Sequence, residues 1–181
     1  GLCLVGSEMC IRDSLKMGDG RDHSIDVGPL VNLETRDKVD YFVRDAVSKG
    51  AVIKLGGQKP VGKGFFYPPT VITNVPDTAE CLSDEIFGPV AAIQTFSDEM
   101  EIIQRSNATE YGLVAYVYTS DMKRGLRISE SLEFGMIGLN RGLVSDPASP
   151  FGGVKQSGLG REGGKEGMLE FQETQYISTE W

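Results

Sequence analysis

The chain has 181 residues, 40% hydrophobic and 24% charged, an ordinary globular composition with enough apolar material for a sizeable core. Its net charge of −8 and pI near 4.7 argue against a nucleic-acid partner, because phosphate binding needs a clustered basic surface and the Lys and Arg here are dispersed. No apolar run approaches a membrane span and Leu2 to Val5 is too short for a signal h-region, so a soluble cytoplasmic enzyme with no membrane partner is expected.

In chain order, the front comes first. Leu4-Val5-Gly6-Ser7-Glu8-Met9-Cys10-Ile11-Arg12-Asp13-Ser14 resembles one reading frame of a sequencing-library adapter translated as coding sequence. It neither alternates like a strand nor carries a helical stripe, so residues 1–14 are set aside as non-native. The single histidine, His23, lies in the polar stretch Gly20 to Ser24 and reads as a solvated loop residue.

From Val31 onward helix-like and strand-like stretches alternate. A helix is predicted from Leu33 to Lys49: Val39, Phe42, Val43, Ala46 and Val47 share one face, Asn32 can cap its start, and Gly50 can supply the left-handed residue that ends it. Ala51 to Leu55 then reads as a short buried strand. Lys59 to Gly64 is a loop, and Pro68-Pro69 forces extended backbone into a strand at Thr70 to Thr73. Further strands are predicted at Val90 to Phe96, Leu113 to Tyr118 and Met136 to Leu139. Asp98 caps a helix through Gln104, and Asp121 begins another that stops at Gly135. Glu166 to Phe171 reads as a short helix and Thr174 to Ser178 as a terminal strand. The pattern predicts an α/β fold with a mainly parallel sheet and crossover helices. Asn140 to Gly160 is a long irregular stretch beyond a strand end, where such folds keep their sites.

Gly158-Leu159-Gly160-Arg161-Glu162-Gly163 satisfies the dinucleotide fingerprint G-x-G-x-x-G, but the unit and acidic ribose ligand that must follow it do not fit in the remaining chain, so a tight packing turn is expected. The three cysteines, Cys3, Cys10 and Cys81, form no C-x-x-C pair and no even framework, and with one histidine they give no metal site. Cys81 has no cation or base beside it in sequence and reads as a small buried hydrophobe rather than a nucleophile. Glu85 is followed by Phe87-Gly88-Pro89, which sets an acceptor-only side chain beside an aromatic face and a rigid turn: equipment for a ribose and one side of a nicotinamide ring. Phe151 precedes paired glycines, so it is either a projecting ring or a core aromatic beside a turn.

From about Leu15 to Ser178 the chain resembles the aldehyde dehydrogenase superfamily. The likeness is carried by Gly18-Asp19-Gly20, Gly28-Pro29-Leu30, Glu85-Ile86-Phe87-Gly88-Pro89 and the run Phe151 to Arg161. Within the family, Gly142-Leu143-Val144-Ser145 leading into Pro150-Phe151-Gly152-Gly153 looks most like succinate-semialdehyde dehydrogenases. The resemblance implies a C-terminal portion of such an enzyme: a truncated catalytic domain over residues 15–172 and an oligomerisation strand in the tail 173–181. It implies NAD or NADP as cofactor, a small-molecule aldehyde as substrate, and a homo-oligomer, dimer or tetramer. Glu85 then accepts from the nicotinamide ribose hydroxyls and Phe87 packs near the ring. Phe151 lines the substrate tunnel, Asn140, Gly152 and Gly153 shape it, and Ser145 donates to a distal carboxylate. Arg141 either assists there or faces solvent. The family oxidises its aldehyde through a cysteine thiohemiacetal and thioester, with a glutamate as base. Its Gly-Gln-x-Cys motif is not in this sequence, so no catalytic residue is assigned and the isolated chain is expected to be inactive. Open alternatives are a dehydrogenase for glutarate semialdehyde or a neutral aliphatic aldehyde, and a non-catalytic binding or oligomerisation module.

Overall fold

The structure is a computed structural model that describes residues 14–181. The adapter-like reading of residues 4–14, and Cys3 and Cys10, therefore lie almost wholly outside the described residues. The chain divides into two compact units, one ending at Thr95 and one spanning Phe96–Trp181.

The first unit is built on α1 (Leu33–Ser48). Its ends are set locally: the Asn32 side chain accepts from the Thr35 N–H at 2.8 Å, and Gly50, at φ 114°, takes the left-handed conformation just past the end. The predicted face is the buried one except at its end, where Val47 is exposed. Val39, Phe42, Val43 and Ala46 form one core with Ala51, Tyr67, Ile72, Val75, Ala79 and Cys81. Three strands complete the unit: β1 (Val52–Leu55), β2 (Thr70–Thr73) and β3 (Val90–Ile93), in that order across a sheet. All four residues of β2 are buried. It pairs antiparallel with β1 and parallel with β3.

The second unit contains α2 (Glu99–Asn107), β4 (Tyr111–Gly112), β5 (Val114–Val117), α3 (Met122–Ser131), β6 (Met136–Leu139), β7 (Val154–Lys155) and α4 (Gly164–Leu169). Asp98 and Asp121 cap α2 and α3 as expected, accepting from the N–H of Glu101 at 2.8 Å and of Arg124 at 3.1 Å. β5, α3 and β6 make a parallel strand–helix–strand unit, and β4 pairs antiparallel with β7.

The α/β class stands, with three corrections in detail. The ladders are mixed, two parallel and two antiparallel, rather than mainly parallel. β1 is largely exposed, not buried, because it lies at a sheet edge. Thr174 to Ser178 is exposed and forms no strand within this chain, since a strand requires a hydrogen-bonded neighbour. No helix among the described residues is long and apolar enough to cross a membrane.

Ile72 is fully buried in the central strand of the first sheet. Ile72→Ala should therefore destabilise the chain by about 2–5 kcal/mol, read as a lower urea midpoint; an unchanged midpoint would remove β2 from the core.

Candidate functional site

In the first unit the site residues lie on the connection between β2 and β3. Phe87 is 71% exposed and sits on left-handed backbone at φ 48°, an uncommon conformation for a bulky residue. The next residue explains it. A Cβ added to Gly88 would lie 2.5 Å from Val39 Cγ2, so α1 fills the space where a side chain would be. Only glycine lets the backbone come this close, and the ring one residue earlier is turned outward. Glu85 is exposed two residues before it.

Cys81 lies on the same connection, in a 3-10 turn at Glu80–Leu82, and is 8% exposed. Burial, then the Asp45 charge, pushes its thiol above the ordinary range, the reverse of what a nucleophile needs. The reading as a buried hydrophobe is borne out. His23 lies in an exposed turn, and among the described residues no group of His, Cys, Asp or Glu could hold a metal.

In the second unit the irregular stretch after β6 begins and ends on fixed points. Asn140, at φ 52°, clamps the end of β5: its Oδ1 accepts from the Thr119 N–H at 2.9 Å and its Nδ2 donates to the Thr119 carbonyl at 2.8 Å. At the other end Phe151 exchanges two 2.7 Å backbone hydrogen bonds with Glu162. Its ring is half-buried, so both sequence readings of Phe151 keep a part. A cavity of about 250 Å³ is lined by Phe151, Pro150, Ser149, Val144 and Arg141 among others. Ser145 is exposed and is not on that wall, although its neighbours Val144 and Asp146 are. Phe151 and Arg141 are thus brought together, and Ser145 lies on the adjoining loop.

Two residues that the sequence reading left without a role fasten this region. The Arg161 Nη1 donates to the carbonyls of Gly153, Leu159 and Gly160 at 2.8, 3.1 and 2.8 Å. Lys155 Nζ pairs with Glu133 at 2.7 Å and donates to the carbonyls of Asn107 and Thr109. Gly152 packs against the Gly160 carbonyl, where a Cβ would have no room. The G-x-G-x-x-G run is the expected packing turn, and its arginine was the available signal for the fastening.

The match to known proteins covers residues 11–177, and the model it fits is described as the aldehyde dehydrogenase family. The chain belongs to the aldehyde dehydrogenase family. A succinate-semialdehyde dehydrogenase of Paenarthrobacter nicotinovorans is 52% identical over 164 residues, covering 91% of this chain and 36% of that protein. A glutarate-semialdehyde dehydrogenase of Pseudomonas putida is 45% identical over 163 residues, covering 90% of this chain and 34% of its own length. The crystal structure of a succinate-semialdehyde dehydrogenase from Burkholderia pseudomallei superposes with a TM-score of 0.89 at 39% identity, over 93% of this chain and 35% of that one. The chain spans about a third of the length of the curated relatives it matches.

In the first unit the residues that could hold the ribose and ring of a nucleotide cofactor are Glu85 and Phe87. Phe87 offers an exposed aromatic face next to Gly88, which packs on Val39, and Glu85 is an exposed acceptor of the kind that ribose hydroxyls need.

The reading of Cys81 as a buried, unreactive thiol can be tested directly. Alkylation by iodoacetamide at pH 8, followed by mass mapping of the Cys81 peptide, should run at least about tenfold slower in the folded chain than in urea. Equal rates would show an accessible thiol, and a faster rate in the folded chain an activated one.

Proposed function

We propose that this sequence works within an NAD(P)-dependent dehydrogenase for an aldehyde with a distal carboxylate, succinate semialdehyde foremost. It contributes the grip on the nicotinamide end of the cofactor and a wall of the aldehyde's path. The observation that carries the reading is the outward Phe87 ring on left-handed backbone beside Glu85, in a chain of this family. Similarity to proteins named succinate-semialdehyde dehydrogenase supports the substrate class, and relatives named for NADP support the cofactor class.

The bound cofactor supplies a hydride acceptor for the aldehyde carbon. Glu85 accepts hydrogen bonds from ribose hydroxyls and Phe87 packs on the ring, which together fix its angle of approach. Phe151 walls the substrate's path with apolar surface and excludes water. Ser145 donates its hydroxyl to the far carboxylate, a charge-assisted bond that a neutral aldehyde cannot repay. The nucleophilic cysteine and the base glutamate belong to a part of the dehydrogenase outside this sequence, because the Gly-Gln-x-Cys motif is missing here and Cys81 is buried. The exposed tail 173–181 serves as the subunit-association strand of a cytoplasmic homo-oligomer. Glutarate semialdehyde, one methylene longer, is the second reading, favoured by the 45% identical relative from Pseudomonas putida.

The chain alone should form no NADH or NADPH from succinate semialdehyde above a no-protein control. Reduction at a measurable rate would place a nucleophile in this sequence and sink the division of labour. In the full-length dehydrogenase, Ser145→Ala should cost succinate semialdehyde about 1.5–3 kcal/mol in kcat/KM relative to a neutral aldehyde of similar length, roughly ten- to a hundredfold. Equal losses on both substrates would make Ser145 a structural residue, and comparing succinate with glutarate semialdehyde decides between the two semialdehydes.

A further inference from the structure

The connection from β2 to β3, residues 74–89, carries Glu85 and Phe87 but has only a 3-10 turn of its own. A segment with so little internal structure takes its shape from what it is fastened to. It is fastened to α1 at both ends of the stretch that matters. On the near side the Glu80 N–H donates to Asp45 Oδ2 at 2.9 Å, and Tyr41 Oη donates to Glu80 Oε1 at 2.9 Å. Lys49 Nζ pairs with Asp45 Oδ1 at 2.7 Å and donates to the Thr78 carbonyl at 2.8 Å. Ala79 and Cys81 are buried in the core that α1 forms. On the far side Val39 fills the space at Gly88.

We propose that Asp45 is a positioning residue for the cofactor grip, tying the start of the Glu85–Phe87 segment to α1 while Val39 fixes its end at Gly88. This rests on the reading of Glu85 and Phe87 as the nicotinamide-side contacts. Asp45 touches no cofactor itself. Its carboxylate serves two donors at once, the Lys49 ammonium and the Glu80 amide, and both hold its pKa below the usual carboxylate range. Because Tyr41 and Asp45 project from one helix and Lys49 is its C-cap, a rigid element sets the height of the loop, and Phe87 inherits its position from Gly88 and Glu80 together.

The test uses the full-length dehydrogenase carrying this sequence and two equilibrium titrations: the reduced cofactor by its fluorescence, and ADP, which lacks the nicotinamide riboside. Asp45→Ala should raise the dissociation constant of the reduced cofactor about tenfold, the size of one lost hydrogen bond to a charged group, and leave that of ADP within about twofold. Asp45→Asn keeps an acceptor for the Glu80 amide and should recover part of the affinity. Tyr41→Phe removes one fastening at an exposed position and gives the same trend if Asp45→Ala fails to fold. Combined with Phe87→Ala, Asp45→Ala should add little, since both act through one ring contact. Parallel losses for cofactor and ADP would mark a general structural defect and overturn the proposal, as would full additivity. If Phe87→Ala weakens the reduced cofactor and Asp45→Ala does not, the positioning role fails and the grip stands. If Phe87→Ala leaves cofactor binding unchanged, the grip itself fails and this inference goes with it.

Discussion

The first unit depends on one constraint: the apolar face of α1 must be covered. A 16-residue helix is marginal by itself in water, and ordering each residue costs about 1–2 kcal/mol of backbone entropy. Full burial of a Val or Phe returns about 1.5–3 kcal/mol, so Val39, Phe42 and Val43 stabilise the helix only while β2 and the loop after it stay against them. That requirement explains why β2 is buried on every residue and why a long connection with almost no secondary structure keeps a defined path. It also explains the backbone of Phe87. The glycine after it packs onto Val39, and the left-handed turn is the geometry that joins that contact to an outward ring.

The second unit is held by different means. Among the described residues its buried apolar side chains are Ile103 and Met136, while Phe96, Met100, Tyr118 and Leu126 are exposed. Polar fastenings take a larger share. Glu99 on α2 pairs with Arg124 and Arg127 on α3, Asn107 donates to the Ser131 carbonyl and accepts from the Glu133 N–H, and Lys155 and Arg161 close the glycine-rich turn. Most of these bonds end on backbone carbonyls, so they fix the course of the chain rather than pair one side chain with another. Such a region presents shaped backbone, which suits a wall.

What was legible in the sequence was local or modular. Asn32, Asp98 and Asp121 cap their helices because a cap is decided within four residues, and the α1 face emerged from simple periodicity. The family emerged from short motifs in a fixed order. The exposure of β1 was not legible: a short, mostly apolar run, here Val-Ile-Lys-Leu, reads alike at the centre and at the edge of a sheet, and the edge is set by pairing with distant residues. Nor was the tie between Asp45 and Glu80, which are 35 positions apart with nothing in either neighbourhood to announce it. Phe87 stood out as a candidate from its setting beside Glu85 and from the resemblance, but its left-handed backbone, next to the contact of Gly88 with Val39, had no local signal.

The stretch between Asn140 and Phe151 is bracketed by two independent anchors, a bidentate amide clamp on Thr119 and a backbone bridge to Glu162. Neither anchor uses a side chain from the ten residues between them. Doubling the length of a flexible loop costs only about 0.6 kcal/mol of closure entropy when its ends stay put. The later half of the stretch is also held from outside, since the Pro147 carbonyl accepts from the Gly164 N–H at 3.0 Å and the Ser149 carbonyl packs on Gly163, so the residues free to change are the earlier, exposed ones such as Leu143 and Ser145. A loop built in this way can change the chemistry of its exposed side chains while its anchored ends, and hence the folding problem, stay the same.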